Sequence, residues 1–146
     1  MTFKAYNSVN RRDFNIVGAR SSTDACDAGW LDAQSLGLGC LLFGTEGMTY
    51  YDSNTFCQDE RAHLIEIQNQ EQLDFVTVEL QTLEADGRGH AIWWTAGSDM
   101  GRENQWYWQH SLTAVKDFVW GPGRPYRETV FNYVCFDRSL DYKANM

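Results

Sequence analysis

The residues able to do chemistry in this chain are few and scattered. Cysteines stand at 26, 40, 57 and 135, and histidines at 63, 90 and 110. No two cysteines form a Cys-x-x-Cys pair, and no Cys/His spacing suits a tetrahedral zinc site. Single, widely spaced cysteines in a small domain fit structural disulfides and an oxidising compartment. Four cysteines allow three pairings, and sequence alone does not choose among them. His63 and Glu66 have the spacing of a metal pair or an acid–base dyad on a helix. They fall where a turn enters a strand, where residues so spaced do not share a face, so a structural role is expected. His90 and His110 are isolated in sequence and flank expected strands. No nucleophile elbow, H-E-x-x-H, phosphate-binding loop or dinucleotide fingerprint occurs. These absences favour a binding module over an enzyme.

The elements that must position these residues can be read from local signals. Residues 26–43 carry Gly29, Gly37, Gly39 and two cysteines around short apolar pieces, which reads as a hairpin stapled at its base. Closing the loop from Cys26 to Cys40 would stabilise by about 3 kcal/mol on the chain-entropy account. Thr49 is an N-cap residue type. After it, Tyr50, Ser53 and Cys57 share one helical face, and the helix should stop near Ala62. Leu64-Ile65-Glu66-Ile67 then alternates as a short strand. Asn69 with Gln72 resembles a capping box, and Leu73, Val76, Leu80 and Leu83 mark a second amphipathic helix ending before Asp86. Ile92–Trp94, Trp106–Trp108 and Phe118–Trp120 read as short strands between polar, Gly/Pro-containing loops. Two helices followed by strands indicate an α+β domain with a mainly antiparallel sheet. Residues 1–25 are polar, mixed in charge and without periodicity. They read as a flexible or loosely docked arm, with the domain over 26–146.

The chain has 146 residues, enough to bury one core, and carries a net charge of −8. The arm contributes +2, leaving −10 on the remainder. An acidic body repels phosphate backbones, so nucleic acid is excluded as a partner. No apolar run is long enough to insert into a membrane. None near the N-terminus suits a signal peptide, so a leader would have been removed or would lie upstream. No N-x-S/T sequon occurs, so N-glycosylation is not expected. Six Trp, seven Tyr and eight Phe are expected to serve mainly as core.

Taken in order, several landmarks resemble the C-type lectin-like domain in its long, arthropod-like form. Cys26-Asp-Ala-Gly-Trp30 with Cys40-Leu-Leu-Phe43 resembles the N-terminal hairpin. Tyr50, Cys57 and Ala62-His63-Leu64 resemble the first helix and the strand after it. Asn69-Gln-Glu71 through Val76 resembles the second helix. Trp93-Trp-Thr-Ala-Gly97-Ser-Asp99, then Trp106-Tyr-Trp108 and Trp120-Gly-Pro-Gly-Arg-Pro125, resemble the core strand and long loop. The resemblance spans about residues 26–145 and implies an extracellular module that binds a glycan or protein ligand.

It also exposes two departures. In the family, the first-helix cysteine pairs with one in the last strand, and the cysteine at the place of Cys135 pairs with one in the preceding loop. Both partners would lie beyond Met146. Cys26–Cys40 is therefore expected to be bonded, with Cys57 and Cys135 lacking family partners and the domain C-terminally incomplete. A bridge between Cys57 and Cys135 is the alternative. Second, the calcium–sugar motif is broken. Calcium takes six to eight oxygen ligands. The family supplies them from triplets such as E-P-N, a Glu before the next cysteine, and W-N-D. Here those places hold Arg124-Pro125-Tyr126, Tyr133 and Ala144-Asn145-Met146. Arg124, a fixed cation, opposes a bound ion. Arg124, Tyr126, Arg127, Glu128 and Asn145 are accordingly the expected ligand contacts, independent of calcium. Asp99 and Glu103 match the start of an auxiliary calcium site, which two carboxylates would hold only weakly.

Overall fold

Thr49 and Asn69 start the two helices. In the computed structural model, which describes residues 14–22, 24–126 and 132–146, Thr49 Oγ1 accepts the Asp52 amide at 3.0 Å and α1 runs Tyr50–Asp59. Asn69 Oδ1 accepts the Gln72 amide at 2.9 Å and α2 runs Gln70–Ala85. Gln72 Oε1 reciprocates one residue further out, accepting the Gln68 amide at 2.7 Å. Each cap satisfies an amide that the first helical turn leaves without a partner. Tyr50, Ser53 and Cys57 face inward from α1, and Leu73, Val76 and Leu80 from α2. Each large side chain so buried contributes about 2 kcal/mol.

Among the described residues the helices pack on a sheet of eight strands: β1 Phe14–Arg20, β2 Leu31–Ala33, β3 Gly39–Met48, β4 His63–Leu64, β5 Ile92–Ser98, β6 Tyr107–Trp108, β7 Tyr133–Asp137 and β8 Lys143–Asn145. Their order is β2-β3-β1-β5-β7-β8, with β4 joined to β1 and β6 to β5. Pairing is antiparallel except where Asn15 and Ile16 run parallel to Trp93 and Trp94. The architecture is the α+β fold of two helices on a mostly antiparallel sheet. Trp93, Trp94 and Trp108 are fully buried, so the aromatic-rich second half is core. Cys26 and Cys40 are bonded, while Cys57 and Cys135 are buried free thiols. Burial pushes the Cys57 thiol up to about 12.

Three expectations are corrected. Residues 14–20, read as part of an arm, form the strand between β3 and β5. Ile16 and Val17 are both fully buried, so the strand is covered on both faces. It therefore lacks the alternation that would have revealed it. It also brings Gly18 beside α1: a Cβ there would lie 3.2 Å from Cys57 Sγ. The strand expected over 64–67 is only His63–Leu64. Beyond it, Ile65 wedges between β1 and β5, donating to Val17 O at 2.8 Å and accepting from the Ala96 amide at 3.0 Å. Phe118–Trp120 is not a strand: Asp117–Val119 is a 3-10 turn, and Trp120 makes a lone parallel bridge to Ala144.

Candidate functional site

The loop after the 3-10 turn is tied to β8 by main-chain bonds. Gly121 N donates to Ala144 O at 2.9 Å, and Tyr126 N donates to Met146 O at 2.9 Å. The Arg124–Pro125 peptide is cis. These ties bring two of the expected ligand residues together: Arg124 Nε donates to Asn145 Oδ1. The guanidinium also lies 4.0 Å from the centre of the Tyr126 ring, a cation–π contact. Asn145 is buried, and its Nδ2 donates to Asp137 Oδ2 at 2.6 Å. Asp137 Oδ1 accepts the Ser139 amide at 2.8 Å and the Ser139 hydroxyl at 2.7 Å. A continuous chain thus runs from the Arg124 cation through an amide to a buried carboxylate. Arg127 and Glu128 lie outside the described residues.

This arrangement does not fit calcium. The side-chain carbonyl oxygen of Asn145 is engaged by Arg124, and the guanidinium stands beside it. Tyr133, where the resemblance expects a carboxylate, is buried and stacked on Tyr50 with ring centres 3.9 Å apart. Burial pushes its hydroxyl up to about 12, so it stays neutral. Asp99 and Glu103 differ from each other. Asp99 is buried at 1% exposure, and Glu103 is exposed. Asp99 Oδ2 accepts the Asn104 amide at 2.9 Å, while Oδ1 has no partner among the described residues. Burial raises its pKa above the usual carboxylate range. Among the described residues no three His, Cys, Asp or Glu side chains gather as a metal cage.

Sequence reasoning missed a second polar locus. His63 and His110, read as unconnected, stack with ring centres 3.8 Å apart and planes 9° apart. Glu66 sets this up: its Oε2 accepts the His110 amide at 2.7 Å and the Ser111 amide at 3.1 Å. The structural role expected of Glu66 is therefore to hold the loop after β6. No local signal could have found the pair, because the two rings come from segments far apart in the chain.

Residues 46–135 match the family described as the lectin C-type domain. Human C-type lectin domain family 10 member A is 29% identical over 108 residues, covering 73% of this chain and 30% of that protein. The carbohydrate-recognition domain of the human scavenger receptor C-type lectin superposes with a TM-score of 0.67 at 21% identity, over 83% of this chain and 88% of that one. A calcium-independent type II antifreeze protein superposes at 0.64 and 20% identity, over 85% and 87%. The chain spans less than half the length of the curated relatives it matches. With its helices, sheet and loop arranged as described and most of its length matched, the chain belongs to the C-type lectin domain family.

Proposed function

We propose that this domain is an extracellular recognition module for a glycan or protein ligand, and that binding at its long loop does not use calcium. The observation that carries the reading is the Arg124–Asn145–Asp137 chain. A guanidinium built into the protein stands where the resemblance calls for an ion, and its hydrogen bond occupies the amide that would ligate one. Calcium would have to displace a charged group of the same sign. The Cys26–Cys40 disulfide supports an oxidising, extracellular setting. Among the described residues no helix is long and apolar enough to cross a membrane. The contact surface of the loop is the Tyr126 ring, 37% exposed and held against Arg124. An aromatic paired with arginine is a composition favoured at binding hot spots. Asp99, with Glu103, would hold calcium only weakly, with carbonyls and water completing the shell, in a range of about 10⁻⁴–10⁻³ M or poorer.

A glycan array and a pull-down from extracellular fluid, each run with EDTA and with calcium, test this. Equal binding in both, weakened by Tyr126→Ala and unaffected by Asp99→Ala, is the expected result. Binding that EDTA abolishes and calcium restores, with Tyr126→Ala silent, overturns it. Retention on glycans separates the carbohydrate reading from a protein-binding one.

A further inference from the structure

A cavity of about 260 Å³ opens beside the stacked histidines. It is lined by Asn54, Gln58, His63, Gln109 and His110 over a floor of Ala62, Leu64 and Ala96. No carboxylate, ammonium or guanidinium is among these residues. Asn54 and Gln58 are one helical turn apart on α1 and share a face. Among the described residues neither side-chain amide has a hydrogen-bond partner. Gln109 is oriented: Tyr50 donates its hydroxyl to Gln109 Oε1, leaving the Nε2 donors over. His63 is oriented too. Its Nδ1 lies 2.7 Å from Leu64 O. A carbonyl can only accept, so Nδ1 carries the proton and Nε2 of the neutral ring is an acceptor. His63 and His110 also line a second cavity of about 250 Å³, together with Glu66, Gln68, Gln72 and Ser111.

A site of this kind recognises a particular chemistry. Oriented, uncharged donors and acceptors match hydroxyl groups, which both donate and accept. They offer nothing to neutralise an ion. The imidazole faces and the alanine and leucine floor suit the C–H face of a ring. The volume is below the range usual for drug-sized ligands, about 300–1,000 Å³, so one ring is accommodated rather than an oligomer. We propose that this cavity binds a neutral, hydroxyl-rich ring of monosaccharide size, with His63 Nε2 accepting, the Gln109 amide donating, and Asn54 and Gln58 closing over it. The site is separate from the Arg124–Tyr126 loop and does not depend on that loop's binding anything. Burial lowers the His63 pKa, which keeps the acceptor unprotonated at neutral pH. The His110 ring opposes a charge there and Glu66 favours one.

The protein's three histidines make the test direct. Each Hε1 proton gives one NMR signal, and His90, packed against Trp93, is an internal control. The probes are methyl α-mannopyranoside and methyl β-galactopyranoside in EDTA, with glucuronate and inorganic phosphate as anionic comparators. At least one glycoside is expected to shift the His63 and His110 signals saturably, in the millimolar range typical of so small a ligand, with His90 still. The double variant Asn54→Leu/Gln58→Leu should weaken this at least about tenfold while the histidine signals keep their native positions. Tyr126→Ala should leave it unchanged. Saturable shifts by the anions alone, no shift with either glycoside, or shifts surviving the double variant would each overturn the proposal. Glycoside binding lost only in Tyr126→Ala would do the same while leaving the recognition reading standing.

Discussion

The loop at Arg124–Tyr126 and the cavity at His63 are both built from polar side chains, yet they use them in opposite ways. In the loop, Arg124, Asn145 and Asp137 satisfy one another, and the last two are buried. In the cavity, the fold engages one end of Gln109 and of His63 and leaves the other. Tyr50 takes the Gln109 carbonyl and Leu64 takes the His63 Nδ1 proton. A closed network is structure: displacing any member strands a desolvated partner. A half-engaged group is an oriented donor or acceptor with no protein partner at its free end. What separates the two regions is therefore not polarity but how completely the protein has answered it.

Several changes would break or sharpen this contrast. The largest effect is expected from Asp137→Ala. It removes the acceptor for Asn145 and for both Ser139 donors, and should cost about 3 kcal/mol or more in urea unfolding. A loss under about 1 kcal/mol would show that the loop network is not the structural one. Next, Gly18→Cys should form a disulfide with Cys57, since a Cβ at 18 lies 3.2 Å from Cys57 Sγ. Stabilisation of about 2–4 kcal/mol, abolished by reductant, is expected from a loop of this length. The bridge anchors α1 to β1 at Cys57, on the same helix that carries Asn54 and Gln58. Glycoside shifts at the histidines should persist in it if α1 is a fixed wall of the cavity. Gln109→Leu comes third. It strands the buried Tyr50 hydroxyl, at about 1–3 kcal/mol, and removes the cavity's donor, so stability and glycoside shifts should fall together.

The smallest effect concerns pH. The native protein holds His63 neutral below its ordinary pKa of 6.5, burial being the main cause. The unfolded chain takes up a proton there that the folded one refuses. Stability should therefore fall as pH drops from about 6.5 to the lowered native pKa, and level off below it. Comparing wild type with His63→Gln by denaturant midpoint across about pH 4–8 isolates this contribution, about 6.5 being the ordinary imidazole value. A difference that stays flat through that window would mean the ring is not desolvated and the cavity is open water. Glycoside shifts should persist through that window and weaken only below the lowered native pKa, where Nε2 of the folded protein carries a proton and cannot accept.

Much of the fold was legible because its signals are local. Thr49 and Asn69 mark both helix starts through bonds to amides only three residues away. The short Cys26–Cys40 staple joins residues brought near by their own turn. The ligand loop was half legible: the charge of Arg124 was visible, but not its grip on Asn145. The His63–His110 stack was invisible, since each histidine taken alone has the look of a surface residue.

What the amino-acid sequence determined by itself is what short-range physics can decide: caps, helical faces, the hairpin staple, and a cationic residue at the loop position where the resemblance expects an ion ligand. What only the tertiary structure decided is which distant groups meet. Phe14–Arg20 lacks alternation because the sheet and helices cover both its faces, so its place between β3 and β5 depended on partners elsewhere in the chain. The same closure seats Glu66 under the loop after β6 and so brings His110 onto His63. Such contacts follow from the simultaneous packing of several elements. That packing is set by the burial of a shared core, which no window of neighbouring residues contains.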